Sequence, residues 1–179
     1  MDELQEEQAE ALVESLGREL HLDRLIFDDD DHSCSVQLDE ENLITLTWVE
    51  DGSMILLDEL IITLSLQERE DRQDLVEKML EANVFWMGSR GATLSMHSES
   101  GVVIAARQLP VYRREGSMIQ ASELAAAIRN FADVASQWRS LLKTGETAIS
   151  SLPPLSTPKE VLTRETMGRE LIDDPEVLA

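Results

Sequence analysis

The chain has 179 residues, of which 42% are hydrophobic and 28% charged, and its formal net charge is −21. This composition is typical of a globular domain and excludes a collagen-like or wholly disordered chain. The excess of 36 acidic over 15 basic residues argues against binding to nucleic acid or anionic lipid, since both interactions depend on Lys and Arg. No apolar run approaches the ~20 residues of a membrane span, and the acidic N-terminus is unlike a secretory signal. The single cysteine, Cys34, excludes an internal disulfide and fits a reducing cytoplasm.

The acidic residues are concentrated in one half of the chain. Residues 1–81 contain 25 acids and 5 bases, whereas residues 82–179 contain 11 acids and 10 bases. The electrostatic field of these concentrated negative charges can steer a basic partner towards the first half of the chain. It also keeps a protein surface soluble, which is the simpler interpretation.

Patterns in the first half predict one helix followed by strands. Residues 2–20 have the apolar spacing of an amphipathic helix, with Asp2 as its cap. Four short apolar or alternating runs, separated by acidic turns, then predict an antiparallel meander. These runs are residues 25–27, 34–38, 43–49 and 54–66, the last interrupted by Asp58-Glu59.

The period of the pattern changes to that of a helix over residues 69–83. Residues 88–91 predict a tight turn, and the runs 92–97 and 102–109 predict a pair of strands. Residues 122–142 carry apolar side chains at three- and four-residue steps and predict the last helix. The order helix, strands, helix, strands, helix predicts an α+β fold, in which the helices pack on a twisted antiparallel sheet.

The composition shifts after Lys143, because four of the five prolines lie in the last 36 residues. The sequence therefore predicts a domain over residues 1–143 and a flexible tail over residues 144–179. Within this tail, residues 158–171 suit a short helix, with Pro158 as its first residue.

No motif in the chain predicts catalysis. Asp28, Asp30 and His32 have the spacing of a calcium loop, but the sixth position is Ser33 where such a loop needs glycine. Cys34 lies in an alternating strand without a base nearby in sequence, so we predict a buried hydrophobe instead of a nucleophile. The three histidines lack the spacing of zinc ligands. We expect no enzyme, no metal and no cofactor.

Several segments, taken in order, resemble the class I type III secretion chaperones, also called the Tir-chaperone family. The residues that carry the resemblance are Leu12, Leu16, Gly17, Leu20, Leu22, Phe27-Asp28, Cys34, Val36, Leu38-Asp39, Leu75, Met79-Leu80, Ala82-Asn83, Gly91-Ala92, Leu94, Leu124, Ile128, Phe131, Trp138-Arg139 and Leu142. One departure is His21, which stands where the family often has glycine.

The resemblance implies a cytoplasmic bacterial homodimer of α-β-β-β-α-β-β-α protomers, without cofactor or ATPase activity. Proteins of this family hold the N-terminal chaperone-binding segment of a secreted virulence effector in extended form. Effectors and a second copy of the chain are thus the implied partners, with the secretion ATPase as a further one.

Two apolar sets are candidates for these contacts. The predicted effector-binding residues are Leu12, Leu16, Leu25, Phe27, Val36, Leu38, Ile44, Leu46 and Trp48. The predicted dimer-interface residues are Leu75, Met79, Val84, Phe85 and Trp86, favoured by the resemblance and by an apolar excess that one helix face cannot bury. For both sets, membership of an ordinary core is the alternative.

Two other functions remain open from the sequence. A regulatory module of the same fold would sequester a transcriptional activator or another chaperone, and its partner would not be exported. A hydrolase or metal enzyme with a site scattered along the chain would bind metal or ligand as a pure protein.

Overall fold

The computed structural model describes residues 3–22, 25–28, 30–49, 53–63, 72–114 and 116–144. The predicted tail beyond Thr144 lies outside these residues. The elements are α1 (Glu3–Leu20), β1 (Ser33–Gln37), β2 (Leu43–Trp48), β3 (Met54–Thr63), α2 (Arg72–Asn83), β4 (Thr93–Met96), β5 (Val102–Pro110) and α3 (Ala121–Thr144). This order confirms the predicted α+β fold.

The five strands form one antiparallel sheet in the order β1-β2-β3-β5-β4. Hairpins join neighbouring strands except between β3 and β4, where α2 intervenes and β5 takes the place next to β3. The edges of the sheet are therefore β1 and the short β4. Helix α3 packs on β3, α1 packs on α3, and α2 lies beside β4.

Alternation along the strands decides which side chains enter the core. Ile44, Leu46 and Trp48 of β2 are buried, as are Ile55 and Leu57 of β3. Helix α3 supplies the opposite wall, because its apolar stripe is buried along most of its length. The buried members of this stripe include Leu124, Ile128, Phe131, Ala135, Trp138 and Leu142.

The prediction of a strand at residues 25–27 is wrong. This segment forms no ladder, and its neighbour Asp28 makes only an isolated antiparallel bridge with Ser33. Phe27 instead packs edge-on against Trp48, with ring centroids 5.3 Å apart. An apolar triplet followed by acids can thus reach the core as a loop, which periodicity over three residues does not distinguish from a strand.

The acidic pair Asp58-Glu59 interrupts the apolar run of the sequence but does not interrupt β3. The strand pairs with β5 on both sides of these residues, and its register shifts only between Leu60 and Ile62. Glu59 can lie in the ladder because its carboxylate forms an ion pair with Arg139, a buried cation on α3.

Among the described residues, no helix is long and apolar enough to cross a membrane.

Candidate binding surfaces

Most of the residues predicted to bind an effector lie in the core of the protomer. Six of the nine are buried, and each has at most 6% of its surface exposed. These six are Leu12, Leu16, Val36, Ile44, Leu46 and Trp48. The other three, Leu25, Phe27 and Leu38, are half-buried and pack against the same core. Only these three present apolar surface to a ligand in this arrangement.

The half-buried residues Leu25, Phe27 and Leu38 lie before and after the edge strand β1. The Phe27 ring also stacks on His32, with centroids 6.4 Å apart. The Nδ1 atom of His32 is buried and has no hydrogen-bond partner among the described residues. Asp28 occupies the outer edge of β1 at Ser33 through two backbone hydrogen bonds. An extended chain that pairs with the rest of this edge would meet apolar side chains at both ends of the strand.

The residues predicted for the dimer interface fall into two groups. Leu75 and Met79 of α2 are buried in the protomer's own core, with 2% and 5% of their surface exposed. Val84, Phe85 and Trp86, in contrast, are exposed, and Phe85 keeps 83% of its surface in solvent. Together with the exposed Leu80 and Met87, these three form a surface that we call the apolar turn.

The backbone of the apolar turn is strained. Phe85 and Trp86 both have φ near 52°, in the left-handed region that bulky residues rarely occupy. Trp86 donates its indole N–H to the Thr93 hydroxyl at 3.3 Å, which fixes the ring beside β4. Strain of this kind persists only where surrounding structure imposes it, and such sites are often functional.

Three contacts impose this conformation on the turn. The Asn83 side chain makes two hydrogen bonds to the backbone of Leu94, each 2.9 Å long, and so joins the end of α2 to β4. The buried Ser89 hydroxyl donates to the Ala92 carbonyl. At Gly88 an added Cβ would lie 2.9 Å from the Cβ of Ala82, so only glycine fits there. The turn is thus held rigidly with its apolar side chains outward.

A polar network is buried between α3 and the sheet. Arg139 is 5% exposed and its guanidinium donates to Glu59 Oε1, to Asn42 Oδ1 at 3.1 Å and to the Ile61 carbonyl at 3.0 Å. Ser136 donates to the same Asn42 oxygen at 2.9 Å. The network ties α3 to β3 and to the loop before β2.

Glu59 is the member of this network whose hydrogen bonds are incomplete among the described residues. It is 2% exposed, and its second oxygen, Oε2, has no hydrogen-bond partner among the described residues. Burial raises the pKa of Glu59 to about 7, although the guanidinium of Arg139 pulls it down. The carboxyl therefore titrates near neutrality.

The candidate nucleophile and the candidate metal ligands of the sequence are Cys34 and the acidic and histidine side chains. Cys34 is buried, as predicted, and burial raises the pKa of its thiol to about 12, so the reactive thiolate is scarce. Within the part of the chain that the structure describes, no three His, Cys, Asp or Glu side chains are grouped to hold a metal ion.

The profile of the Tir chaperone protein (CesT) family matches residues 11–139 of this chain. The chain belongs to the Tir chaperone family. The match begins within α1 and ends within α3, so it includes β1, the apolar turn and Arg139. It confirms the resemblance to type III secretion chaperones that the sequence motifs carry. No curated protein sequence gives a significant match.

Solved structures similar to this Tir chaperone family member confirm its fold. A chain of the HopA1–SchA chaperone–effector complex is 22% identical, with a TM-score of 0.53, and the match covers 73% of this chain and 92% of that one. A chain of the ExsC–ExsE complex is 20% identical, with a TM-score of 0.57, and the match covers 79% and 97%. At these identities the likeness shows the fold alone.

Sequence reasoning did not find the buried network or the role of Arg139. Two signals were available. Arg139 interrupts the apolar face of α3 four residues after Ala135, and Glu59 takes an inward position of β3 between Leu57 and Ile61. An opposite charge on each of two facing apolar surfaces indicates a buried pair.

Proposed function

We propose that this Tir chaperone family member is a type III secretion chaperone of the bacterial cytoplasm. As a homodimer, it holds the N-terminal segment of one or more effectors extended and ready for export, and it does so by binding alone, without an enzymatic step. The observation that carries this proposal is the apolar turn, a rigid and exposed apolar surface on a strongly acidic protein.

The apolar turn supports the dimer part of the proposal. Large apolar side chains exposed side by side mark an interaction surface, and Phe85, Trp86 and Met87 are exposed to 83%, 54% and 75%. A second copy of the chain can cover them through an isologous contact, in which each turn packs on the same turn of the other protomer. Leu75 and Met79 are buried in the protomer's own core, so this contact would be made by the exposed residues of the turn.

Light scattering on the purified chain tests the dimer. We expect a mass of about 40 kDa, twice the 20.1 kDa of one chain, and a shift to the monomer for Phe85→Ser. Ile26→Ser is the matched control, because Ile26 is also apolar and 60% exposed but lies outside the turn. A monomeric wild-type chain at micromolar concentration would contradict the proposal.

The edge of β1 supports the effector part of the proposal. A free strand edge binds an extended segment through backbone hydrogen bonds, and flanking pockets select its side chains. Phe27 and Leu38 stand at the two ends of this edge and are half-buried. The acidic half of the chain, which includes β1, would speed the approach of a basic segment at low salt.

Affinity capture with the full chain, from a lysate of bacteria with an active secretion system, tests effector binding. We expect a captured protein that is itself exported, bound through its N-terminal segment. Phe27→Ala should weaken this binding, whereas Leu43→Ala, an exposed control on β2, should not. A captured partner that stays in the cytoplasm would favour the regulatory module instead.

For residues 144–179, outside the described part of the chain, we propose a tail whose 158–171 segment docks on an apolar surface of the chaperone or a partner. If it covers the effector groove, truncation after Lys143 should tighten effector binding and leave the dimer intact. Unchanged binding would show a plain solvated extension, and an unfolded truncated protein would make the segment part of the domain.

A further inference from the structure

Arg107 on β5 is a cation without a partner among the side chains that the structure describes. It is half-buried, and its guanidinium makes no hydrogen bond or ion pair with any described residue. Burial lowers the pKa of its guanidinium, which reflects the cost of removing a charge from water without compensation. In a chain with 36 acidic residues, a half-buried arginine that pairs with none of the described ones is unexpected.

A pocket of about 590 Å³ opens beside this arginine. Its apolar walls are Met54 and Leu56 of β3, with the indole of Trp86 from the apolar turn, and Arg107 is the charged residue of the lining. None of the described residues that line it is acidic. A volume of this size lies within the range of pockets that hold ligands.

The guanidinium of Arg107 lies beside Gly91, which also lines the pocket. Gly91 has φ of 89°, and a Cβ added there would lie 3.5 Å from Nε of Arg107 and 3.7 Å from its Cζ. The side chain of Arg107 thus lies close to the backbone of Gly91, at a distance where an added Cβ would make an ordinary contact with it. The indole hydrogen bond to Thr93 holds Trp86, another residue of the lining, in place.

We propose that this pocket is an anchoring subsite for a carboxylate side chain flanked by apolar residues in a bound polypeptide segment. The carboxylate pairs with Arg107, and the apolar neighbours rest on Met54, Leu56 and Trp86. Charge complementarity selects this occupant: the fork of an arginine binds a carboxylate through two parallel hydrogen bonds. The subsite deepens the proposed function, since it states which residues a bound effector segment presents here.

The charge distribution favours a segment that is otherwise neutral or basic. The part of the chain from residue 82 onwards, which supplies most of the lining, is almost balanced, with 11 acids and 10 bases. The acidic half would repel a strongly acidic ligand. A segment with one carboxylate among apolar and basic residues can pair with Arg107 without being repelled by the acidic half. A second copy of this acidic chain would be repelled more strongly.

Two matched peptides test the subsite on the full chain. The probe Ac-Ser-Leu-Asp-Leu-Ser-NH2 and its Asn counterpart differ only in the charge of one side chain. We expect the Asp peptide to bind about tenfold more tightly, the effect of a charge-assisted hydrogen bond, with shifts of the Trp86 indole resonance in NMR. The preference should vanish in Arg107→Met, persist in part in Arg107→Lys, and remain whole in the charge-matched control Arg114→Met, whose residue is exposed.

Three outcomes would overturn the subsite. The first is that the two peptides bind the wild type equally, and the second is that the preference for the Asp peptide survives in Arg107→Met. The third is that N-acetylleucine shifts the indole resonance while neither peptide does. This third result would make the pocket a site for a small free carboxylate. If the preference is absent but the chain still captures an exported protein, the subsite fails and the proposed function stands. If the preference is present but no exported protein is captured, the proposed function fails instead.

Discussion

Two arginines of this chain, Arg139 and Arg107, have opposite surroundings. Arg139 on α3 is more deeply buried than Arg107 on β5, and it is surrounded by acceptors from Glu59, Asn42 and Ile61. Arg107 is half-buried beside an open pocket and meets no acceptor among the described residues. The first arrangement secures α3 on the sheet, whereas the second leaves a charge available to a ligand. The paired cation Arg139 is thus structural, whereas the unpaired cation Arg107 is the basis of the proposed subsite.

The largest expected effect is on the matched arginine. Arg139→Met would leave the Glu59 carboxylate buried without its cation, and such a loss costs about 3–5 kcal/mol. Urea unfolding at a fixed protomer concentration measures this change. Arg129→Met is the control, because Arg129 is exposed and its guanidinium donates to the Glu19 carbonyl instead of a buried carboxylate. A loss below about 1 kcal/mol for Arg139→Met would show that the network contributes little.

The same network predicts a pH dependence. The folded state holds the Glu59 proton more tightly than the unfolded chain, with a pKa of about 7 against the ordinary 4.5. Its contribution to stability is therefore complete below about pH 4.5 and is lost as the pH rises through about 7. Between pH 5 and pH 8 we expect a loss on the order of 2 kcal/mol in unfolding experiments. Glu59→Gln should flatten this dependence, and an equal slope in both proteins would contradict it.

The strained backbone of the apolar turn predicts that one substitution will increase the stability of the protomer. Phe85 has φ of 52° and 83% of its surface exposed, so Phe85→Gly removes strain and loses little packing within the protomer. We expect the protomer to gain about 1 kcal/mol, measured by unfolding at concentrations where the protein is monomeric. The same change should weaken the dimer in light scattering. A destabilised monomer would show that the phenyl ring packs within its own chain.

The smallest expected effect is on the unmatched arginine. Arg107→Met removes a charge that makes no ion pair with the described residues, so the free energy of unfolding should change by less than about 0.5 kcal/mol. Thermal and urea unfolding of this variant, beside Arg139→Met, measure the contrast directly. A loss of several kcal/mol would mean that Arg107 is held by the protein itself, and it would remove the basis of the proposed subsite.

The sequence predicted the order of the elements well because the patterns involved are local. The apolar steps of α3 and the alternation of β1 and β2 each lie within one segment. Which apolar residues stay exposed depends on the layers above them, and for this reason six of the nine predicted effector-binding residues proved to be buried. Arg139 and Glu59 are 80 positions apart, and a pattern within one segment cannot indicate a contact between residues so far apart in sequence.

One departure from the family pattern now has a physical meaning. His21, at the end of α1, has φ of 58°, and the Leu22 amide bonds to the Gly17 carbonyl at 2.9 Å across it. This is a helix end with a left-handed residue, where glycine fits without strain. The resemblance flagged the position, but only the backbone angle explains why the family often has glycine there.

The single thiol of the chain allows the opening of the edge strand β1 to be measured without any substitution. Cys34 is the chain's one cysteine, it lies on β1, and it is 3% exposed. A thiol-labelling reagent can react with it only while β1 is open, so the labelling rate, corrected for the intrinsic reactivity of a free thiol, reads the opening equilibrium of that strand. A segment that pairs with β1 would slow this modification, and the chain thus carries its own reporter of occupancy.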